Sequence, residues 1–188
     1  MFVKICGITN REDALAAVAA GARALGFIFH PPSPRHVTAA ELESWVGEVP
    51  PHIWKVGVFV DESPEFIEQI AAQLRLDIAQ LHGHETPERH PRGVRIWKAF
   101  RIHDVQTHVP DYPAEAILID GASYDWSRTD HFTRPVILAG GLTPENVRQA
   151  MARAAGKIWA VDVASGIEKS PGRKDHARMK QFIEAALQ

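Results

Sequence analysis

Eight times between Phe2 and Val163 a short apolar run, rich in branched residues, gives way to a turn and then to a stretch of helical character. No other feature of the chain restricts its fold so strongly. The runs are Phe2 to Cys6, Ala24 to Phe29, Trp54 to Val60, Ile78 to Leu81, Val94 to Phe100, Ala116 to Ile119, Pro135 to Leu138 and Ile158 to Val163. They are short for helices and read as strands. Between them, helix starts are marked by caps: Asn10 before Arg11 to Ala20, Thr38 before Leu42, Trp45 and Val46, and Ser63-Pro64 before Phe66, Ile67, Ile70 and Leu74. Thr143, Pro144 and Glu145 open a helix from about Pro144 to Ala154 that ends at Gly156, and Asp175 caps a last one with Met179, Phe182, Ile183 and Leu187 turned inward. Weaker helical segments are expected over 104–109 and 125–132.

Uniform alternation of strand and helix implies a parallel sheet, because right-handed crossovers return each strand beside the last. Eight such units close into a (β/α)8 barrel more naturally than they extend as an open sheet, and no GxGxxG follows any strand to indicate a dinucleotide fold. At 188 residues the chain falls below the usual lower size of that barrel, about 200, so the reading is a compact α/β barrel, one domain over 1–188, with short loops. The crossover Thr86 to Gly93 has room for about one helical turn, which makes the fourth helix a shortened one. Trp54, Trp97 and Trp159 lie in strands and are expected to pack between barrel and helices.

Composition removes several classes of function. A formal charge of -2 and the lack of a Lys/Arg cluster argue against a nucleic-acid surface. The single cysteine excludes an internal disulfide framework and fits a reducing compartment. No apolar run approaches about 18 residues and the first residues do not read as a signal peptide, so a cytoplasmic protein without a membrane partner is expected. Without a heptad or a long apolar surface stripe, the default is a monomer.

The last two units carry the clearest functional signal. Arg134 to Glu168 reads strand, Gly140-Gly141 turn, helix, then strand again with a break at Ser165-Gly166. Glycine after a strand is ordinary turn chemistry, but two such turns on neighbouring parallel strands present backbone N–H groups suited to a phosphate, at the pair of units where barrels most often bind one. The ligand expected is therefore a small phosphorylated molecule. Other residues at strand ends are Lys4, Cys6, Arg35, Asp61, His82, Glu85, Lys98, Asp120 and Asp162. A thiol at strand one and a carboxyl at strand six could act as a base and an acid on one bound molecule, which is isomerase chemistry needing neither metal nor cofactor. A metal-dependent hydrolase built on His82, His84 and Glu85 is a further reading, though no second cluster completes a ligand set.

KICGIT, GFIFHPPSPRHV, KVGVFV, QLHGHE, LIDG, LAGGLTPENV, and VDVASGIE followed by PGRKD together resemble the phosphoribosylanthranilate isomerase family, in order and over nearly the whole chain. The resemblance implies an Amadori rearrangement of N-(5-phosphoribosyl)anthranilate in tryptophan biosynthesis. It implies Asp120 as general acid, Cys6 as general base, Arg35 on the anthranilate carboxylate, His82 and Asp162 on the substrate, and Gly140, Gly141, Ser165 and Gly166 on the phosphate. In those roles Cys6 needs neighbouring cations to ionise, and Asp120 needs burial or a nearby phosphate to retain a proton. The family usually carries a longer glycine-rich loop after the strand-six aspartate, where this chain keeps only Gly121-Ala122-Ser123-Tyr124, and often a serine at the place of Ala164. A catalytically impaired phosphate-binding barrel lacking its lid is the alternative that this shortening motivates.

Overall fold

The structure, a computed structural model, describes residues 1–101, 112–121, 133–154 and 158–188. Eight strands, β1 (Phe2–Cys6), β2 (Ala24–Ile28), β3 (Trp54–Phe59), β4 (Ile78–Leu81), β5 (Arg95–Arg101), β6 (Ala116–Asp120), β7 (Val136–Ala139) and β8 (Ile158–Val163), pair in sequence order. All pairings are parallel, and β8 returns to β1 with Lys4 opposite Asp162, which closes a TIM barrel. Branched and aromatic residues favour the strands, and β-α-β connection leaves a parallel sheet no sterically simpler arrangement.

Around the barrel lie α1 (Arg11–Ala20), α2 (Ala39–Glu43), α3 (Pro64–Leu74), α4 (Val147–Arg153) and, after β8, α5 (His176–Leu187), which packs on α1 and β1. The expected caps act as such. The Asn10 side chain accepts from the Asp13 N–H, Thr38 and Glu41 form a reciprocal capping box, Ser63 accepts from Phe66, and Asp175 accepts from Ala177 and Arg178. Between β4 and β5 only a 3-10 turn, Pro87–Arg89, replaces a helix, as the short crossover implied.

Several expectations are corrected. The helix after β7 starts at Val147, one turn later than Thr143-Pro144-Glu145 suggested. The Asn146 side chain accepts from the Thr143 N–H and donates to the Gly141 carbonyl, folding 143–146 into a turn that belongs to the loop. The helix after Thr38 stops at Glu43, and Val46 falls in a separate 3-10 turn. Leu187 is 53% and Phe66 36% exposed, so neither joins the core; Ala186 takes the inward place in the last turn of α5. Trp54, Trp97 and Trp159 do not lie between barrel and helices but meet one another, and Phe2, inside the barrel, with ring centroids 5.2–6.2 Å apart for most pairs and 4.6 Å for Phe2 and Trp159. Phe2, Trp54 and Trp97 take alternate inward positions of their strands and Trp159 joins them at the register shift between β7 and β8, so that the four rings fill the amino-terminal end of the lumen. A small hairpin, β9 (Glu168–Ser170) with β10 (Arg173–Lys174), was not expected. The expected segments 104–109 and 125–132, Gly156 and the loop beyond Gly121 lie outside the described residues.

Candidate active site

Climbing a strand two residues at a time keeps to one face of the sheet. On β1 that path runs Phe2, Lys4, Cys6; on β4 it runs Ile78, Gln80, His82; on β6, Ala116, Leu118, Asp120. The carboxyl ends of the strands therefore present polar groups to a single mouth, and a cavity of about 250 Å³ opens there. Cys6, Arg35, His82, Asp120, Gly140, Gly141, Asp162, Ser165 and Gly166 all line it, so the residues chosen from the sequence come together in one place.

The remaining strand-end residues are engaged otherwise. Lys4 lies fully buried beneath the cavity with Nζ 3.0 Å from Asp162 Oδ1. Lys98, on the outward face of β5, donates to the carbonyls of Leu81 (3.4 Å) and Gly83 (2.6 Å) and pairs with Glu85 at 2.8 Å. Asp61 receives His84, whose Nδ1 stands 3.1 Å from Oδ2. His82 turns instead toward Asp120, with Nε2 3.3 Å from Oδ2. The His82, His84 and Glu85 side chains thus diverge to three different partners, and no group of three or more His, Cys, Asp or Glu among the described residues could hold a metal ion.

The turns after β7 and β8 require glycine for steric reasons. Gly140 and Gly141 have φ of 84° and 62°, in the left-handed region, and a Cβ on Gly140 would stand 2.6 Å from Asp120 Oδ1. A Cβ on Gly166 would fall on the carbonyl oxygen of Leu142, so the β7 and β8 turns touch backbone to backbone. Ser165 begins a 3-10 turn, Ser165–Ile167, directly after β8. This is an edge of closely packed backbone with glycine at three positions, and it suits an anion.

Charge is distributed around it unevenly. Burial pushes the Cys6 thiol above its ordinary pKa; Lys4 and Lys174 pull it back in part, while Asp162 adds to the rise. Lys4 is itself held charged: burial opposes the ammonium, but Asp162 and the Cys6 sulfur outweigh burial and raise its pKa. Asp120 departs from the expectation that it should be raised. The hydrogen bond from His82 lowers its pKa more than burial lifts it, so in the ligand-free protein it is a stabilised carboxylate. Gln80 sits behind that pair, 1% exposed, with Nε2 3.1 Å from His82 Nδ1. An amide N–H offered to Nδ1 leaves the ring proton on Nε2, facing Asp120.

Three residues of this arrangement were not singled out from sequence. Gln80 occupies the inward position two before His82, which strand alternation could have flagged. Glu168 and Lys174 face each other across the short β9–β10 hairpin, with Nζ 2.9 Å from Oε1, and opposite charges flanking Pro171-Gly172 were the available signal.

Residues 3–185 match the family model described as N-(5'phosphoribosyl)anthranilate (PRA) isomerase. The chain belongs to that family. It is similar to the N-(5'-phosphoribosyl)anthranilate isomerase of Geobacter sulfurreducens, 46% identical over 199 aligned positions covering 98% of this chain and 97% of the relative. The alignment is longer than the 188 residues here, so the relative carries residues that this chain lacks. Among solved structures, phosphoribosyl anthranilate isomerase from Thermotoga maritima superposes with a TM-score of 0.89 at 39% identity, covering 100% of this chain and 98% of that one. A structure of the isomerase in complex with reduced 1-(o-carboxyphenylamino)-1-deoxyribulose 5-phosphate superposes with a TM-score of 0.87 at 39% identity and the same coverage.

Proposed function

We infer that the chain catalyses the isomerisation of N-(5-phosphoribosyl)anthranilate to 1-(2-carboxyphenylamino)-1-deoxyribulose 5-phosphate in tryptophan biosynthesis. The observation that carries this reading is the convergence of Cys6, Asp120 and two glycine turns on one cavity in a chain that matches the family over residues 3–185.

Asp120 gives a proton to the ring oxygen of the sugar as the bond from that oxygen to C1 breaks, and the nitrogen lone pair completes an iminium. Cys6 then removes the proton on C2, whose electrons flow toward the cationic nitrogen, and the resulting enolamine tautomerises to the ketone. Each transfer needs the less favoured form of its residue, a proton on Asp120 and none on Cys6. Lys4 and Lys174 supply positive potential to the sulfur. The phosphate, seated on the turn that packs against Asp120 Oδ1, brings negative charge beside a carboxylate and favours its protonation. Substrate binding thus converts the resting carboxylate into the acid that the first step requires. Arg35 offers a planar fork to the anthranilate carboxylate, Asp162 and His82 address the sugar, and Ser165 and Gly166 complete the phosphate turns.

The form we propose is a monomer, since the sequence carries no heptad and no long apolar surface stripe; light scattering at working concentration tests it. A cytoplasmic setting suits the one free cysteine. Among the described residues no helix is long and apolar enough to cross a membrane. The activity itself is tested by following loss of the fluorescent substrate. Turnover that vanishes in Cys6→Ala and Asp120→Ala, with the reduced product analogue still bound, supports the assignment; binding without turnover in the unaltered protein favours the impaired-barrel reading.

A further inference from the structure

Arg35 has two edges with which to grip a carboxylate, and one is taken. Its Nε donates to Glu168 Oε1 at 2.8 Å and its Nη2 to Oε2 at 2.7 Å, a bidentate pair. The other end of the fork, Nη1 with the second N–H of Nη2, has no hydrogen-bond partner among the described residues, and Arg35 lines the cavity. The stem of Arg35 lies over Gly7, where a Cβ would stand 2.5 Å from Cδ, so the guanidinium is confined from below as well.

Glu168 is confined in turn. Its Oε1 accepts from Lys174 Nζ at 2.9 Å and from the Gly172 N–H at 3.3 Å, and only 5% of its side chain is exposed. Lys174, with a fully buried side chain, also donates to the carbonyls of Cys6 (2.6 Å) and Ala164 (3.2 Å). The β9–β10 hairpin is thereby fastened to the ends of β1 and β8. Arg35, Glu168 and Lys174 together carry one net positive charge, so Glu168 orients the arginine without cancelling the attraction of the trio for an anion.

We propose that Glu168, held by Lys174 on the β9–β10 hairpin, is a positioning and specificity residue: it occupies the Nε/Nη2 edge of Arg35 so that the remaining edge is fixed to receive the aryl carboxylate of the substrate. The proposal rests on the reading that Arg35 meets that carboxylate. A guanidinium pre-set in this way binds a planar carboxylate with little further ordering, whereas a freely rotating one must be arrested at the moment of binding.

The test compares two ligands, the reduced product analogue and its counterpart lacking the ring carboxylate, in Glu168→Gln, Glu168→Asp and Arg35→Met, with substrate kinetics in parallel. Glu168→Asp keeps the charge for Lys174 but shortens the reach to Arg35, so it reports on positioning if Glu168→Gln does not fold. The expected result in both is a rise of roughly tenfold in KM and in the dissociation constant of the carboxylated ligand, as for one lost charge-assisted hydrogen bond. The affinity of both variants for the decarboxylated ligand, and the kcat of Glu168→Asp, in which Lys174 keeps its counter-charge, should stay within about twofold, since neither senses an interaction made equally in ground and transition states. Equal weakening of both ligands in Glu168→Asp, or a fall in kcat at unchanged KM, would overturn the proposal and leave Glu168 a structural residue. Discrimination for the carboxylate that survives in Arg35→Met would instead overturn the underlying reading of Arg35.

Discussion

The two ends of the barrel lumen are built on the same strands and differ in kind. At the amino-terminal end Phe2, Trp54, Trp97 and Trp159 press edge to face, Trp97 is fully buried, and the Arg95 guanidinium lies 4.7 Å over the Trp54 ring. At the carboxyl end the same inward face carries Lys4, Cys6, Gln80, His82, Asp120 and Asp162, with opposed charges and raised or lowered proton affinities. One end is held by apolar area and aromatic contact, the other by paired charges that burial disfavours. The difference teaches that four residues of strand are enough to pass from a region whose substitution should touch stability alone to one whose substitution should touch chemistry.

Substitutions at the two ends should separate them. Cys6→Ala and Asp120→Ala should each lower kcat by about 10²–10⁴-fold, the range for a lost acid or base, while the thermal midpoint by calorimetry moves little. A large fall in the midpoint would erase the contrast from the upper side. Lys4→Met lies on the boundary and should register on both scales. Removing one partner of a buried ion pair costs about 3–5 kcal/mol, measured by urea unfolding, and kcat should fall with it, because the Cys6 sulfur loses a cation that favours its ionised form. Trp97→Ala should cost about 3–5 kcal/mol of stability and, at a temperature where the variant is folded, leave kcat within about twofold. A rate loss there would show that the plug reaches the chemistry.

The smallest effect is a displaced limb in a pH profile. The proposed mechanism needs Asp120 protonated and Cys6 ionised, although Asp120 has a lowered and Cys6 a raised pKa. The fraction of enzyme in that arrangement is constant between the two pKa values and declines on either side, so kcat/KM should be flat through neutrality. His82→Ala removes the hydrogen bond that lowers the Asp120 pKa, which must then rise, and the acid limb should move to higher pH while the alkaline limb stays. An unmoved acid limb would mean that another group governs it.

The strands were legible in the sequence because period and length both point to them: β1, β4 and β8 fall where the apolar runs stand, and caps such as Asn10 and Ser63 locate helix starts to the residue. The residues of the cavity were legible because barrel topology sends every strand end to one mouth. What stayed hidden depends on the third dimension. Nothing local says that Trp54 faces the lumen rather than the helices, since both sides of a parallel barrel strand are apolar. The helix after β7 was set too early because Thr143-Pro144-Glu145 fits a start equally well, and only the Asn146 side chain, closing on Gly141 and Thr143, decides otherwise. The state of Asp120 could not be anticipated from its own surroundings in sequence, because His82 arrives from another strand.

The contact at Gly166 has a further consequence. With its α-carbon seated against the Leu142 carbonyl, the turn after β8 rests directly on the backbone of the turn after β7, so a displacement of one presses on the other. A phosphate seated there as proposed would meet a pair of turns already braced against each other before it arrives.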